Sequence, residues 1–171
     1  VSKESATTVS AFDVESEKLT QLDVGLIYNK GDVSGSVLAF YNEIDDFIMI
    51  QSGVIKPSGM MAMRSATIAR NIDARSWGVE VDAQYRFAMN WRTELTLASV
   101  RGENKTDGRT LPHLPPLEAR LGLHYDNSVW SAGVLWRGIA KQDRVDPGRG
   151  NIAGQDIGVT DSANVLSFNA G

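Results

Sequence analysis

The chain has 171 residues with 17 Lys and Arg against 21 Asp and Glu, a formal net charge of −4, and no cysteine. That balance argues against a nucleic-acid partner, which needs a concentrated basic face to neutralise phosphates, and the missing thiols exclude disulfides, thiolate metal sites and thiol catalysis. No run of about 18 apolar residues exists, which excludes a transmembrane helix, whereas a hydrophobic share of 42% and a mean hydropathy of −0.20 suit either a globular domain or a membrane β-barrel, whose alternating strands average out on such scales.

Residues 1–16 are polar, carry no apolar signal core and read as a loop; a secreted or outer-membrane protein would be missing its start. From Lys18 the pattern alternates, with Leu22, Val24, Leu26 and Tyr28 on one face, until Lys30, Gly31 and Asp32 turn the chain. The return strand is expected over about 33–50. Its facing is ambiguous, because Val37, Ala39 and Tyr41 compete with Leu38 and Phe40, with a weak preference for the odd set. Asp45 and Asp46 read as a feature of the strand exit, and the Gly-, Ser- and Met-rich stretch of about 51–67 reads as a loop.

The clearest pattern follows. In Trp77–Phe87 every odd position is apolar or aromatic and every even position polar or glycine, so one face is greasy and the other charged. After a turn at Ala88, Met89 and Asn90, the next strand puts Trp91, Thr93, Leu95 and Leu97 on one side and Arg92, Glu94 and Thr96 on the other, ending near Arg101. A polar loop is expected over 102–114. Beyond Pro115 and Pro116, a hairpin sets Leu117, Ala119, Leu121, Leu123 and Tyr125 opposite Glu118, Arg120, Gly122 and His124. It turns at Asp126 and Asn127 and returns through Trp130, Ala132, Val134 and Trp136, with Arg137 on the polar side. A long loop over about 141–163 precedes a last strand at Val165–Phe168.

Three features combine. Short connections of about two to four residues alternate with long ones of about twelve to twenty, strands reach about ten residues, and aromatics (Tyr28, Tyr85, Phe87, Trp91, Tyr125, Trp130) gather where the apolar face meets the short turns, as in a transmembrane barrel. The opposite face carries Glu80, Asp82, Arg86, Arg92, Glu94, Glu118, Arg120 and Arg137. A dry core penalises each unpaired ion heavily, so a wide hydrated lumen suits them better. The competing reading is a soluble antiparallel sheet acting as a binding or adhesion module, although isolated edges of this length invite aggregation.

Several stretches resemble TonB-dependent outer-membrane receptors: Glu17–Gly25, Phe40–Ile48, Asn71–Ala74 and Trp77–Glu80. Leu114–Leu123, Trp130–Arg137 and Asn151–Gly158 resemble late barrel strands of the copper receptor branch. The resemblance implies an all-β, antiparallel transmembrane barrel of about 22 strands with a plugged lumen, of which residues 1–171 are about seven strands of one partial barrel domain, without the plug and the final strands. It further implies a non-enzymatic transport receptor in the outer membrane of a Gram-negative bacterium. Its partners would be outer-membrane lipid, the TonB energy-coupling complex engaged through the missing plug, and a metal or metal-complex cargo. No catalytic cofactor is implied. Copper is the expected cargo, with a ferric siderophore as the alternative, and the copper ligands of such receptors match no position here.

Among candidate site residues, Met60, Met61 and Met63 offer thioethers, soft ligands suited to Cu(I); the competing reading is a flexible apolar loop. His113 and His124 lie at opposite ends of one strand, roughly 35 Å apart at full extension, and cannot share an ion. Asp143, Asp146, Asp156 and Asp161 match no calcium loop and read as a solvated loop. No nucleophile, base and acid set suggests catalysis.

Overall fold

The computed structural model describes residues 3–4, 9–12, 14–58, 62–150 and 158–171. The chain is all strand and loop there. Eleven strands follow in order: β1 (Lys3–Glu4), β2 (Val9–Phe12), β3 (Lys18–Lys30), β4 (Val33–Ser58), β5 (Ala62–Ala88), β6 (Trp91–Asn104), β7 (Arg109–Thr110), β8 (Glu118–Asp126), β9 (Ser131–Ile139), β10 (Arg149–Gly150) and β11 (Ala163–Ala170). Seven of them are long and form one antiparallel sheet ordered β3, β4, β5, β6, β8, β9, β11. Among the described residues the sheet is open: β3 bonds only β4, and β11 only β9.

Tight turns join β3 to β4, β5 to β6 and β8 to β9, which makes these neighbours in sequence neighbours in space. Gly31 takes a left-handed φ of 60° in the β3–β4 turn, a conformation that glycine adopts without a Cβ clash. Met89 and Asn90 turn β5 into β6. Between β8 and β9, Asn127 Oδ1 accepts the amides of Val129 and Trp130 at 3.1 and 2.7 Å, so Trp130 sits in the turn, one residue before the strand that the sequence pattern gave it.

The register resolves the ambiguous strand. Val37, Ala39 and Tyr41 pair with Val81, Val79 and Trp77, which pair in turn with Leu97, Ser99 and Arg101. The odd set therefore shares the apolar face, and Leu38 and Phe40 lie on the charged one.

Three expected loops are corrected. The stretch over 51–67 is largely strand: β4 and β5 continue as a long hairpin, with register shifts at Ile44/Phe47 and Gln51/Val54. Hydrogen-bonded pairing overrides the poor strand propensity of Gly and Ser there, and bulges absorb the mismatch. Asp45 and Asp46 mark the first shift rather than the strand exit, with Asp46 at φ 58°. The presumed loop over 102–114 contains the end of β6 and its pairing with β7, and the N-terminal stretch contains β1 and β2, the latter parallel to Ala66–Ala69 of β5.

The bulge has a geometric effect. Between the pairs Ile44/Ala74 and Phe47/Ile72, two β4 residues, Asp45 and Asp46, oppose one β5 residue, Asp73, so one extra residue flips the side-chain alternation. Odd positions of β4, outward on the apolar face up to Tyr41, turn inward at Phe47 and Met49. There a small core forms from Met49, Ile72, Ala74 and Leu111, with Ile44, Phe47 and Leu114 packed against it.

Candidate functional site

The sheet presents two different faces. On one, Leu22, Val24, Leu26, Leu95, Leu121, Leu123, Leu166 and Phe168 are exposed together. An apolar stripe of this extent is not left bare in water. At its short-turn end the aromatics touch in a row: Tyr85 to Phe87 at 6.1 Å between ring centroids, Phe87 to Trp91 at 6.2 Å, and Trp91 to Tyr125 at 4.9 Å. At its other end stand Tyr41 and Trp77, cross-strand partners. Immediately beyond them the face turns ionic. Arg75 lies over the Trp77 ring at 5.7 Å and donates to Glu103 at 3.0 and 2.6 Å, Lys105 pairs with Glu43, and the Tyr41 hydroxyl donates to Glu43 at 2.7 Å. This second aromatic row is absent from the sequence reading, although a strand passing from Val79 and Trp77 to Arg75 and Asp73 carries its signal.

The opposite face is polar at the height of the stripe. Glu118 accepts from Arg137 at 2.9 and 2.7 Å and from Arg120 at 2.7 Å; these groups rim a groove of about 600 Å³ floored by Phe40, Val100 and Ile139. Nearer the short turns, His124 Nε2 meets Glu94 at 2.7 Å, and Thr96 donates to Asp82 at 3.1 Å. The eight charges predicted to share this face do so, because the register aligns Glu80 with Ala98 and Glu118, and Arg86 with Arg92.

At the long-loop end the connections interlock. Arg70 pairs with Asp107, whose other donor is Asn104 at 2.8 Å; the Arg70 hydrogen bond, more than the Asn104 one, holds the Asp107 carboxyl below its ordinary range. The hydrogen bond to Glu43 raises the Lys105 ammonium. Asn104, fully buried, also approaches Met49 Sδ at 3.9 Å. Across the polar face, Asp146 Oδ1 accepts from Arg109 at 3.1 Å and Arg149 at 2.9 Å, while Ser52 N donates to Gly148 O at 2.7 Å, and Arg149 and Gly150 pair with Gln51 and Ile50. Three connections thereby join into one cap.

Met60 and Met61 lie outside the described residues; Met63, at the start of β5 opposite Pro57, is 65% exposed. His113, at φ 64°, sits in the loop cap beside Gly150, where a side chain would run into its ring, and His124 is at the other end of β8. Asp143 and Asp161 are exposed and Asp156 is outside the described residues. Asp146 is a correction: it is 7% exposed and ion-paired, because two arginines enclose it. Among the described residues no three His, Asp or Glu side chains gather closely enough to hold a metal ion.

A family model described as "TonB dependent receptor-like, beta-barrel" matches residues 3–171. Among curated protein sequences nothing matches. Among solved structures, the chain is similar to "Copper transporter OprC", with 40% identity and a TM-score of 0.82, over 92% of this chain and 23% of that one. It shares the fold of the FrpB iron transporter from Neisseria meningitidis (16% identity, TM-score 0.62, 94% and 25% coverage) and of the ferric enterobactin receptor of Pseudomonas aeruginosa (13%, 0.72, 95% and 25%). It spans about a quarter of each.

Proposed function

Because the chain belongs to the TonB-dependent receptor β-barrel family, whose members are transport receptors of the Gram-negative outer membrane, we propose that it forms part of the wall of an outer-membrane receptor that takes up copper. The observation that carries the transmembrane part is the pairing of an exposed apolar stripe, bounded by aromatic rows at both ends, with a charged opposite face. Lipid covers the stripe, and the charges line the lumen. The short turns are periplasmic and the interlocked long connections extracellular. Residues 1–171 are one partial barrel domain: further strands pair along the open edges of β3 and β11, and a plug carried elsewhere on the receptor contacts the TonB complex.

Copper as cargo rests on the 40% identity to a copper transporter; the iron and siderophore receptors, at 16 and 13% identity, support the fold alone. Met60, Met61 and Met63 are proposed to capture Cu(I) at the outer rim through their thioethers, and the exposure of Met63 leaves its sulfur accessible. The test is copper accumulation under copper limitation in cells with and without the complete receptor, with ferric-siderophore uptake as a control. A loss confined to copper is expected. Loss of siderophore uptake instead reassigns the cargo, and loss of neither overturns the transport reading. Replacing all three methionines by leucine should weaken copper uptake at limiting metal, and unchanged uptake removes them from the site.

A further inference from the structure

On the outer face, cross-strand partners run Leu22, Tyr41, Trp77, Arg101 in one row from β3 to β6. The next two rows toward the short turns are Val24, Ala39, Val79, Ser99 and Leu26, Val37, Val81, Leu97. Arg101 therefore stands at the rim of the apolar stripe, level with its second aromatic row. It is exposed and holds no carboxylate among the described residues. A second guanidinium leans to the same height: Arg75, one row farther out, lies over the Trp77 ring at 5.7 Å. Two cations thus flank one indole.

The acids of this face are either committed or distant. Glu103 accepts both of its short contacts from Arg75, at 3.0 and 2.6 Å, and Glu43 is held by Lys105 and by the Tyr41 hydroxyl. Asp45 and Asp73 stand two rows beyond Trp77, roughly 13 Å along the strand. One positive charge is left over where the stripe ends. In a membrane an aromatic row marks the boundary between acyl chains and headgroups, and an ion there without a counter-charge is costly. Phosphate is the counter-charge that headgroups supply, and the planar guanidinium fork matches its oxygens.

We propose that Arg101, with Arg75 held against Trp77 beside it, binds a phosphate group of an outer-leaflet lipid whose acyl chains lie along the stripe. The proposal rests on the reading that this face meets the membrane and that the long connections are extracellular.

The experiment titrates the complete receptor, in nonionic detergent, with diphosphoryl lipid A, a phosphorylated glycolipid of Gram-negative outer leaflets, and counts retained lipid by native mass spectrometry. Retention is expected, with Arg101→Gln weakening it roughly five- to tenfold and Arg101→Lys by less. Arg86→Gln, which removes an exposed cation from the opposite face, should leave it unchanged. Lipid A stripped of its phosphates should bind the unsubstituted receptor as weakly as intact lipid A binds Arg101→Gln. Inorganic phosphate should not displace the lipid, because the chains on the stripe add to its hold. No retention, equal retention by Arg101→Gln, an equal loss in Arg86→Gln, indifference to the phosphates, or displacement by inorganic phosphate overturns the proposal. Heat-modifiable migration on gels reports that each variant is folded. A receptor that stays folded and monodisperse after detergent removal would overturn the membrane reading instead.

Discussion

Replacing Asp146 by alanine should open the long-loop cap without loosening the barrel wall. Asp146 is 7% exposed and accepts two guanidiniums through Oδ1. Arg149, mostly buried, loses a charge-assisted hydrogen bond of about 1.5–3 kcal/mol. Arg109, 53% exposed on its side chain, swings into water, so its pair contributes only about 0–1 kcal/mol. The sum, about 1.5–4 kcal/mol, corresponds to roughly 10- to 900-fold more frequent opening, at about 1.36 kcal/mol per tenfold. The reporter is hydrogen exchange of the Ser52 amide in the complete receptor, since its acceptor is Gly148 O, two residues beyond Asp146. Exchange at Ser52 should accelerate by that factor while Val81 and Leu97 stay protected. Arg109→Gln should change it by less than about fivefold, as its smaller share requires. An unchanged Ser52 rate in Asp146→Ala would refute the view that this carboxylate holds the cap.

The other predictions concern the acid range, the stripe and the crowded wall. Asp107 has a lowered folded pKa through Arg70, so its contribution is complete above the unfolded value of about 3.9 and is lost as pH falls through the folded value; proteolysis of the cap should rise only below about pH 4, and Asp107→Asn should flatten that profile. Leu97→Arg, on the apolar face between Val81 and Ala119, should cost about 2–4 kcal/mol of barrel stability, against near neutrality for Thr96→Arg on the lumen side, read by urea unfolding in lipid. Gly78→Val should destabilise by about 1–3 kcal/mol, because a Cβ there meets Ser99 O and Phe40 Cζ at 2.5 Å and the carbonyl cannot rotate away; equal midpoints for Gly78→Val and the parent would contradict this.

The wall was legible in the sequence because one rule governs it. Strict alternation from Trp77 to Phe87 and from Leu117 to Tyr125 sets which face each side chain takes, and the turns at Gly31 and Met89 set the register. The long-loop end was not legible for the same reason. Its hairpin between 51 and 67 carries Gly53, Pro57 and Gly59, residues that suppress strand propensity, and its pairing depends on bulges that local pattern does not reveal. Asp146 looked like one of four loop aspartates, and only contact with Arg109, distant in sequence, makes it a buried acceptor.

On the proposed membrane reading, the change of rule along β5 follows from a change of solvent. Between Tyr85 and Trp77 the odd residues face outward and are apolar or aromatic, while Asp82 and Glu80 face the lumen. Past Trp77 the pattern inverts: Arg75, Asp73 and Asn71 face outward, and Ala74 and Ile72 face inward and are buried. In the proposed membrane setting, lipid stabilises apolar groups on the outside only as far as the Tyr41 and Trp77 row. Beyond it, water is on both sides, and the hairpin must bury its own apolar side chains. β5 makes the switch by sequence alone, whereas β4 makes it by the extra residue at Asp45 and Asp46, which turns Phe47 and Met49 inward. Deleting Asp46 should therefore restore the original alternation, expel Met49 from the core, and unlock the cap while leaving Val33–Tyr41 paired. Hydrogen exchange confined to 47–58 and 105–114 would bear this out; exchange spreading through Val33–Tyr41 would show instead that cap and wall unfold as one unit.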